Sequence, residues 1–403
     1  MDQLSSKKHF WKGYAAGLGT VVLLVLAAVM AKHILAPGSL SFRDNIRLLS
    51  KYNTMISIIK NDYLEEIDTD VLIDGAYAGM ADAIDDKYSR YFTKEQYEDY
   101  LENVTGTFAG IGVTIQWNEE TERIKVLSVI EDGPAYQAGI LAGDEIDQVE
   151  GTPVSELGMD EAVKRIKGPK DTEVTVTVVR EGQDPMEMTL TRKLIEEDAA
   201  TWQMLDGSIG YIQLSGFSGV APKQFSQAME SLQEEGMKGL ILDLRGNPGG
   251  QLNAVVEIAD SLLPEGLVTY TETRQGQRVE FTSDAETILD VPLVVLIDQD
   301  SASASEVLAG ALRDHKAGVL VGTTSFGKGI VQTTYNLGDG SALKITMARY
   351  YTPNGDFIHG VGIEPDIQVD MEEPVDAVRL TQEDTQFQAA LEKIDELIRE
   401  KSE

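Results

Sequence analysis

From about residue 205 onward the chain repeats one pattern, and that pattern restricts its fold more than any other feature. Short runs made almost wholly of Val, Ile and Leu alternate with amphipathic segments of helix length. The runs are IGYIQL (209–214), GLILDL (239–244), PLVVLID (292–298) and GVLVG (318–322). A strand that is apolar on every residue must be covered on both faces, as in a parallel sheet packed between helices. Helices are expected at Pro222–Glu235, Leu252–Leu263 and Ala304–His315. The expectation for this stretch is an α/β core. A final acidic amphipathic helix is expected over 380–400, with Phe387, Leu391, Ile394 and Ile398 on one stripe.

The preceding segments follow other periods. Over residues 42–101 apolar positions recur at helical spacing (Ile46, Leu49, Tyr52, Ile56, Ile59, Tyr63), and a second helix is expected at Val71–Ile84. This region suits either a helical cap on its own chain or a surface that pairs with a second copy to form a homodimer. Residues 102–183 change to short strands separated by Gly and Pro turns: GIGVTIQ, RIKVLSVI and EVTVTVVR, with one helix near Asp160–Ile166. The alternation over Glu173–Val179 is a period-2 signal. Residues 13–31, GYAAGLGTVVLLVLAAVMA, carry no charge and have the length of a membrane-spanning helix. Lys7, Lys8 and Lys12 precede that run, which places the N-terminus in the cytoplasm and the rest of the chain outside it. The rival is a cleaved signal peptide, for which Val29-Met30-Ala31 is a poor site.

Composition removes several chemistries. With 403 residues the chain is too long for one ordinary core, so two or more folded units are expected. It has no cysteine, hence no disulfide, thiolate metal site or cysteine nucleophile. His9, His33, His315 and His359 are too few for a histidine zinc cage, and no metal or organic cofactor is expected. A net charge of −33 argues against nucleic acid as a partner.

Three segments carry chemistry. The first is Asp300-Ser-Ala-Ser-Ala-Ser-Glu306, between a buried strand and a helix. A serine there lies beside free backbone N–H groups and the positive end of a helix dipole, which together can stabilise an oxyanion. Ser303 and Glu306 equally match a capping box, S-x-x-E, that needs no catalysis. The local pattern does not choose among Ser301, Ser303 and Ser305. The second segment, Gly322-Thr-Thr-Ser-Phe-Gly-Lys328-Gly329, nearly spells a phosphate-binding loop. Gly329 stands where the hydroxyl is required, however, and the following Ile-Val-Gln-Thr-Thr-Tyr reads as a strand where such a loop needs a helix. Lys328 then suits another role. On an extended segment Lys328 and Gln332 share a face. A buried lysine loses its proton more readily and becomes a general base, which Gln332 can orient without adding charge. The third segment is Asp243-Leu-Arg-Gly-Asn-Pro-Gly-Gly250, a turn that either supplies an oxyanion donor or is simply tight. A Ser-His-Asp triad is hard to build, because His315 lies about 17 Å along its helix from the Ser303 end.

Together and in this order, D-L-R-G-N-P-G-G, D-S-A-S-A-S-E and F-G-K-G-x-V-Q resemble the C-terminal processing peptidases, the tail-specific serine proteases, over about residues 42–370. The resemblance implies a Ser303 nucleophile, a Lys328 base, Gln332 as the third member, and an oxyanion hole from the backbone N–H groups of Ala304 and the Gly249-Gly250 turn. It also implies a PDZ domain whose loop Gly110-Ile111-Gly112-Val113 holds the free C-terminus of an apolar peptide tail. Lys167 stands where these proteins often carry arginine, which puts in doubt the coupling of peptide binding to catalysis. The expected chain is multi-domain α+β. Its parts are a cytoplasmic tip and transmembrane anchor (1–40), a helical N-terminal region (41–101), a β-sandwich-like PDZ domain with helices (102–183), an α/β crotonase-like serine peptidase core (184–370) and a C-terminal acidic helix (371–403). Two rivals stand: a membrane scaffold that binds tails without cleaving them, and a nucleotide-binding protein using residues 322–329.

Overall fold

The computed structural model describes residues 40–284, 289–371 and 374–402. The run at 13–31, expected to span a membrane or to be removed as a signal, lies outside these residues. Among the described residues no helix is long and apolar enough to cross a membrane. The chain divides after Ala83 into two units.

The first unit contributes helices α1 (Phe42–Asp62) and α2 (Thr69–Asp82). Both begin as their sequences dictate. Ser41 Oγ accepts the Asp44 N–H at 3.2 Å and Asp68 Oδ1 accepts the Asp70 N–H at 3.0 Å, each satisfying an orphan donor of the first turn. Tyr52, Ile56 and Ile59 of the expected stripe are half-buried, while Ile46 and Leu49 are exposed.

The second unit opens with an element that helical spacing did not suggest. Strand β1 (Arg90–Phe92) lies within residues expected to be helical, and α3 (Lys94–Thr105) follows it. Thr93 and Gln96 form a capping box at the start of α3, and Gly106 ends it at φ 70°. The β-rich part then comprises β2 (Thr107–Gly110), β3 (Val113–Asn118), β4 (Arg123–Val129), α4 (Pro134–Ala138), β5 (Glu145–Val149), β6 (Thr152–Pro153), α5 (Val154–Ile166, broken at Gly158), β7 (Glu173–Val179), β8 (Met186–Thr191) and β9 (Lys193–Glu196). Its sheet has the order β3-β4-β5-β7-β8 with β6 on β5, and β9 returns to pair with β2. Ile124, Val126, Ile146, Val174, Val176 and Val178 fill one apolar cluster with Ala162 and Ile166 of α5. The sheet continues past residue 183 to Thr191. Arg192 then reaches back, buried, to donate to the carbonyls of Arg165 and Ile166 at the end of α5.

The remaining elements are β10 (Ala200–Leu205), β11 (Ile209–Leu214), α6 (Ala221–Glu234), β12 (Gly239–Asp243), α7 (Leu252–Asp260), β13 (Gly266–Thr273), β14 (Arg278–Ser283), β15 (Leu293–Ile297), α8 (Ala304–Asp314), β16 (Val319–Gly322), β17 (Ile330–Asn336), β18 (Ala342–Tyr351), β19 (Ile367–Gln368), α9 (Val375–Val378) and α10 (Thr385–Ser402). They build a sheet ordered β10-β11-β12-β15-β16-β19, parallel from β11 onward. Successive residues of each strand face opposite sides. Leu240 and Leu242 therefore pack with α6, α7 and α8, while Ile241 packs with Phe387, Ala390 and Ile394 of α10. This is the sandwich that the all-apolar runs required. Of a second sheet, β1-β18-β13-β14 with β17 on β18, only β17 was read from the sequence as a strand. Its strands are half-exposed and its key pairing is remote: Arg90 of β1 faces Lys344 of β18.

The carboxyl end of β12 is held by buried charge. Arg245 is fully enclosed and donates to both Asp243 oxygens and to both Asp384 oxygens, at 2.7 to 3.0 Å. Tyr211 Oη and Arg379 also donate to Asp243. Burial alone would raise the Asp243 pKa, but its bonds to Arg245 outweigh that and hold it below the ordinary carboxylate range. Replacing Arg245 with Met would leave Asp384 enclosed without a counter-ion among the described residues and Asp243 with Arg379 alone. The expected cost is about 3–5 kcal/mol, read as a lowered denaturant midpoint. A loss below about 1 kcal/mol would mean that the network does not secure this turn.

Candidate active site

The site forms at the carboxyl ends of β12 and β15, where parallel strands deliver their loops to one edge of the sheet. After β12 comes the turn Asn247-Pro-Gly-Gly250; after β15 comes Ser301-Ala-Ser-Ala-Ser305. The two are pinned together. Asn247 O accepts from Ala302 N at 3.0 Å and from Ser305 Oγ at 2.9 Å. A Cβ on Gly249, whose φ is +100°, would lie 2.7–2.8 Å from Ala302 O, Ala304 N and Ser303 Cβ, so only glycine lets the strands approach this closely.

These contacts separate the three serines. Ser301 Oγ is buried and donates to Leu244 O at 2.8 Å; Ser305 Oγ is buried on Asn247 O. Both are internal struts. Ser303 alone of the three is only half-buried, and its side chain lines a cavity of about 720 Å³. Its backbone lies at φ 55°, ψ −110°, a conformation that costs an L-residue energy and persists only where neighbours impose it. Two neighbours do so: Glu306 accepts the Ser303 N–H at 2.8 Å, and Tyr350 Oη donates to Ser303 O at 3.0 Å.

Glu306 does more than cap its helix. Its side chain is wholly buried and also accepts from Ser325 Oγ (2.6 Å), Gly327 N (2.6 Å) and Lys328 N (2.8 Å). One carboxylate thus ties the backbone of Ser303 to the backbone of Lys328. The same contacts explain the near-match to a phosphate loop. Amides that would cradle a phosphate are already engaged by a carboxylate of the chain itself. Sequence reasoning reduced Glu306 to a capping partner; the signal it lacked was the remote loop that Glu306 also receives.

The cavity is lined by Ser303, Ala304, Gly249, Gly250, Lys328 and Gln332, and also by Tyr350, Tyr100 and Lys344. Lys328 Nζ stands 5.0 Å from the centre of the Tyr88 ring and forms no ion pair or hydrogen bond among the described residues. Burial pushes its pKa below the ordinary lysine value, against the pull of Glu306 and Asp86 and with a smaller push from Lys87.

Two expectations change. Gly249 N donates to Asn247 Oδ1 at 2.9 Å, which removes it from the expected oxyanion donors and leaves Ala304 and Gly250. Gln332 does not hold the Lys328 amine. Its Nε2 lies 3.3 Å from Ile330 O, and β17 begins only at Ile330, so Lys328 precedes the strand and the shared-face argument does not apply. No hydrogen bond links Ser303 Oγ, Lys328 Nζ and Gln332 among the described residues. His315 is engaged with Leu267 O at 2.8 Å and takes no part in the cavity wall.

In the β-rich part, Ile111 O accepts from Ala135 N (2.8 Å) and Gly112 O from Ile130 N (3.0 Å), so the carbonyls of the Gly110–Val113 loop are turned inward. Strand β3, which follows, is the end strand of its sheet. Lys167, at the end of α5, makes one ion pair with Glu102 of α3 at 2.9 Å and lies 4.6 Å from the Phe108 ring centre. Lys164 pairs with Glu95 of the same helix. Helix α3 in turn gives Tyr100, Asn103 and Val104 to the cavity wall.

Comparison with known proteins gives the family of the chain. Residues 208–369 match peptidase family S41, residues 125–180 a PDZ domain, and residues 28–96 the N-terminal domain of the activating protease CtpB. The carboxyl-terminal-processing protease of Synechocystis is 41% identical over 78% of this chain and 74% of that protein. The carboxy-terminal processing protease CtpA of Bacillus subtilis is 36% identical over 80% and 69%. A solved photosystem II D1 C-terminal processing protease is 32% identical, covering 80% of this chain and 87% of that one, with a TM-score of 0.47. The chain belongs to the carboxyl-terminal-processing proteases of peptidase family S41, serine-type endopeptidases that here include a PDZ domain.

The role of Glu306 as a positioning residue is open to a direct check. Gln in its place keeps the volume but turns an NH₂ toward N–H donors. The expected result for Glu306→Gln is a kcat lowered about 100-fold with KM little changed, and a lower melting temperature. Wild-type kcat would show that the backbone tie is dispensable.

Proposed function

We propose that Ser303 is the nucleophile and Lys328 the general base of a Ser-Lys endopeptidase acting on polypeptides with free, apolar C-termini. The observation that carries this reading is the cavity shared by Ser303 and an unpaired Lys328 whose proton is weakened by burial. In this reading the neutral amine takes the Ser303 hydroxyl proton and Oγ attacks the scissile carbonyl. The N–H groups of Ala304 and Gly250 stabilise the oxyanion. The ammonium returns its proton to the leaving amine, and water then hydrolyses the acyl-enzyme. Gln332 closes on the amine only once substrate is bound, since its amide is engaged elsewhere in the free chain.

The tail is captured by the PDZ domain. The amides of Gly110, Ile111, Gly112 and Val113 take the terminal carboxylate, and the peptide adds to β3 as a further strand. The ion pairs from α5 to α3 connect that groove to the cavity wall through Lys167 in place of the family's arginine. The run at 13–31 is read as the anchor that places the peptidase outside the cytoplasm, and α1 and α2 as a surface for a second copy.

Ser303→Ala is expected to lower cleavage of a tail-bearing unfolded peptide by at least about 10³-fold; undiminished turnover would remove Ser303 from the mechanism. The amine must be neutral to act, so kcat/KM should fall as pH drops through an acidic limb set by Lys328, below the ordinary lysine pKa of about 10.4. Lys328→Arg, which stays protonated, should be inactive across the range. An unchanged profile in that variant would place the base elsewhere.

A further inference from the structure

We propose that Lys344 is a carboxylate-recognition residue of the cleavage cavity, selecting substrates that carry an acidic group within about six residues of the scissile bond. This rests on the reading of Ser303 as nucleophile.

Lys344 lies on β18, six residues before Tyr350, and both residues line the cavity. Tyr350 marks the reacting end, because its hydroxyl holds the Ser303 carbonyl at 3.0 Å. Six residues of strand span about 20 Å, and an extended substrate advances at the same rate per residue. The Lys344 ammonium is half-buried, 5.0 Å from the centre of the Tyr100 ring, and no carboxylate pairs with it among the described residues.

Its charged surroundings are cationic. Arg90 is its register partner across β1 and likewise has no ion pair among the described residues; its guanidinium lies 4.4 Å from the Phe92 ring centre. Lys328 shares the cavity and, in the mechanism, is neutral. Glu197 is the carboxylate in the wall, and it pairs with none of these three. Burial first, then Lys328 in its protonated form and Arg90, hold the Lys344 pKa below the ordinary value. In a chain of net charge −33, a half-buried ammonium with only cations and a ring around it is a conspicuous exception. Burying such a group without an anion is unfavourable, and a carboxylate brought by substrate relieves that. Paired with Lys344, the carboxylate meets Lys328 as half of a neutral ion pair and not as a bare anion.

The carboxylate has two sources: an Asp or Glu side chain, or the free end of a short tail. Three peptides of one sequence separate them: one with Glu walked through positions flanking the scissile bond and an amidated end, one neutral with a free acid end, and one neutral and amidated. The readout is the ratio of kcat/KM against the neutral amidated peptide. Wild type is expected to prefer a carboxylate-bearing peptide about tenfold or more. Lys344→Gln should bring the ratio near one, Lys344→Glu should shift preference toward a Lys-bearing peptide, and Lys344→Arg should keep the wild-type order. Whichever carboxylate arm responds identifies the source. A wild-type ratio near one, or a preference that survives in both Lys344→Gln and Lys344→Glu, overturns the proposal. Loss of all cleavage in Ser303→Ala, measured alongside, keeps that outcome distinct from a failure of the nucleophile assignment.

Discussion

The Glu306 carboxylate is the contact on which the rest of the site depends. A buried charge is tolerated only when enough donors surround it. Here the donors are Ser303 N, Gly327 N, Lys328 N and Ser325 Oγ, two of which belong to the proposed nucleophile and the proposed base. Solvating one anion therefore sets the separation of two backbone segments, at Ser303 and at Lys328, that are distant in the chain. It leaves the side chains of Ser303 and Lys328 free, because these two residues give only their main-chain N–H groups. The strained backbone of Ser303 follows from the same constraint.

Charge is arranged with opposite logic in the frame and in the cleft. Beneath the site, Asp243, Arg245 and Asp384 form a closed set in which the arginine bonds to both carboxylates, and this holds the turn that carries Gly249 and Gly250. Within the cavity Lys328 and Lys344 form no ion pair among the described residues. Paired charges rigidify. Unpaired cations in a poorly solvated cleft lose protons or seek a ligand, and a Ser-Lys peptidase needs the first behaviour from one lysine. The PDZ domain is joined to this frame by Lys164 and Lys167, which pair with Glu95 and Glu102 of α3, a helix that also walls the cavity.

Much of the fold was legible because one rule governs it. All-apolar runs at 209–214, 239–244, 292–298 and 318–322 are the strands of the parallel sheet within a residue or two, since only a sheet covered on both faces tolerates them. Strands β13, β14 and β18 escaped, being half-exposed and mixed in composition, and β1 escaped because three residues carry no period at all. The continuation of the β-rich sheet beyond 183 was not legible, because β8 and β9 look like a charged linker until β9 pairs with β2.

The sequence by itself determined the chemistry on offer: no cysteine, too few histidines, one serine-rich strand-to-helix junction, and a lysine in a loop that failed as a phosphate site. Those are properties of residue type and local period, which need no third dimension. Which serine is reachable, that Gly249 is already engaged, that the Gln332 amide is held by Ile330 O, and that Glu306 and Lys344 belong to the site were decided only by tertiary structure. Each depends on a hydrogen bond or an exposure set by residues distant in the chain, and no local pattern records where a distant donor will arrive.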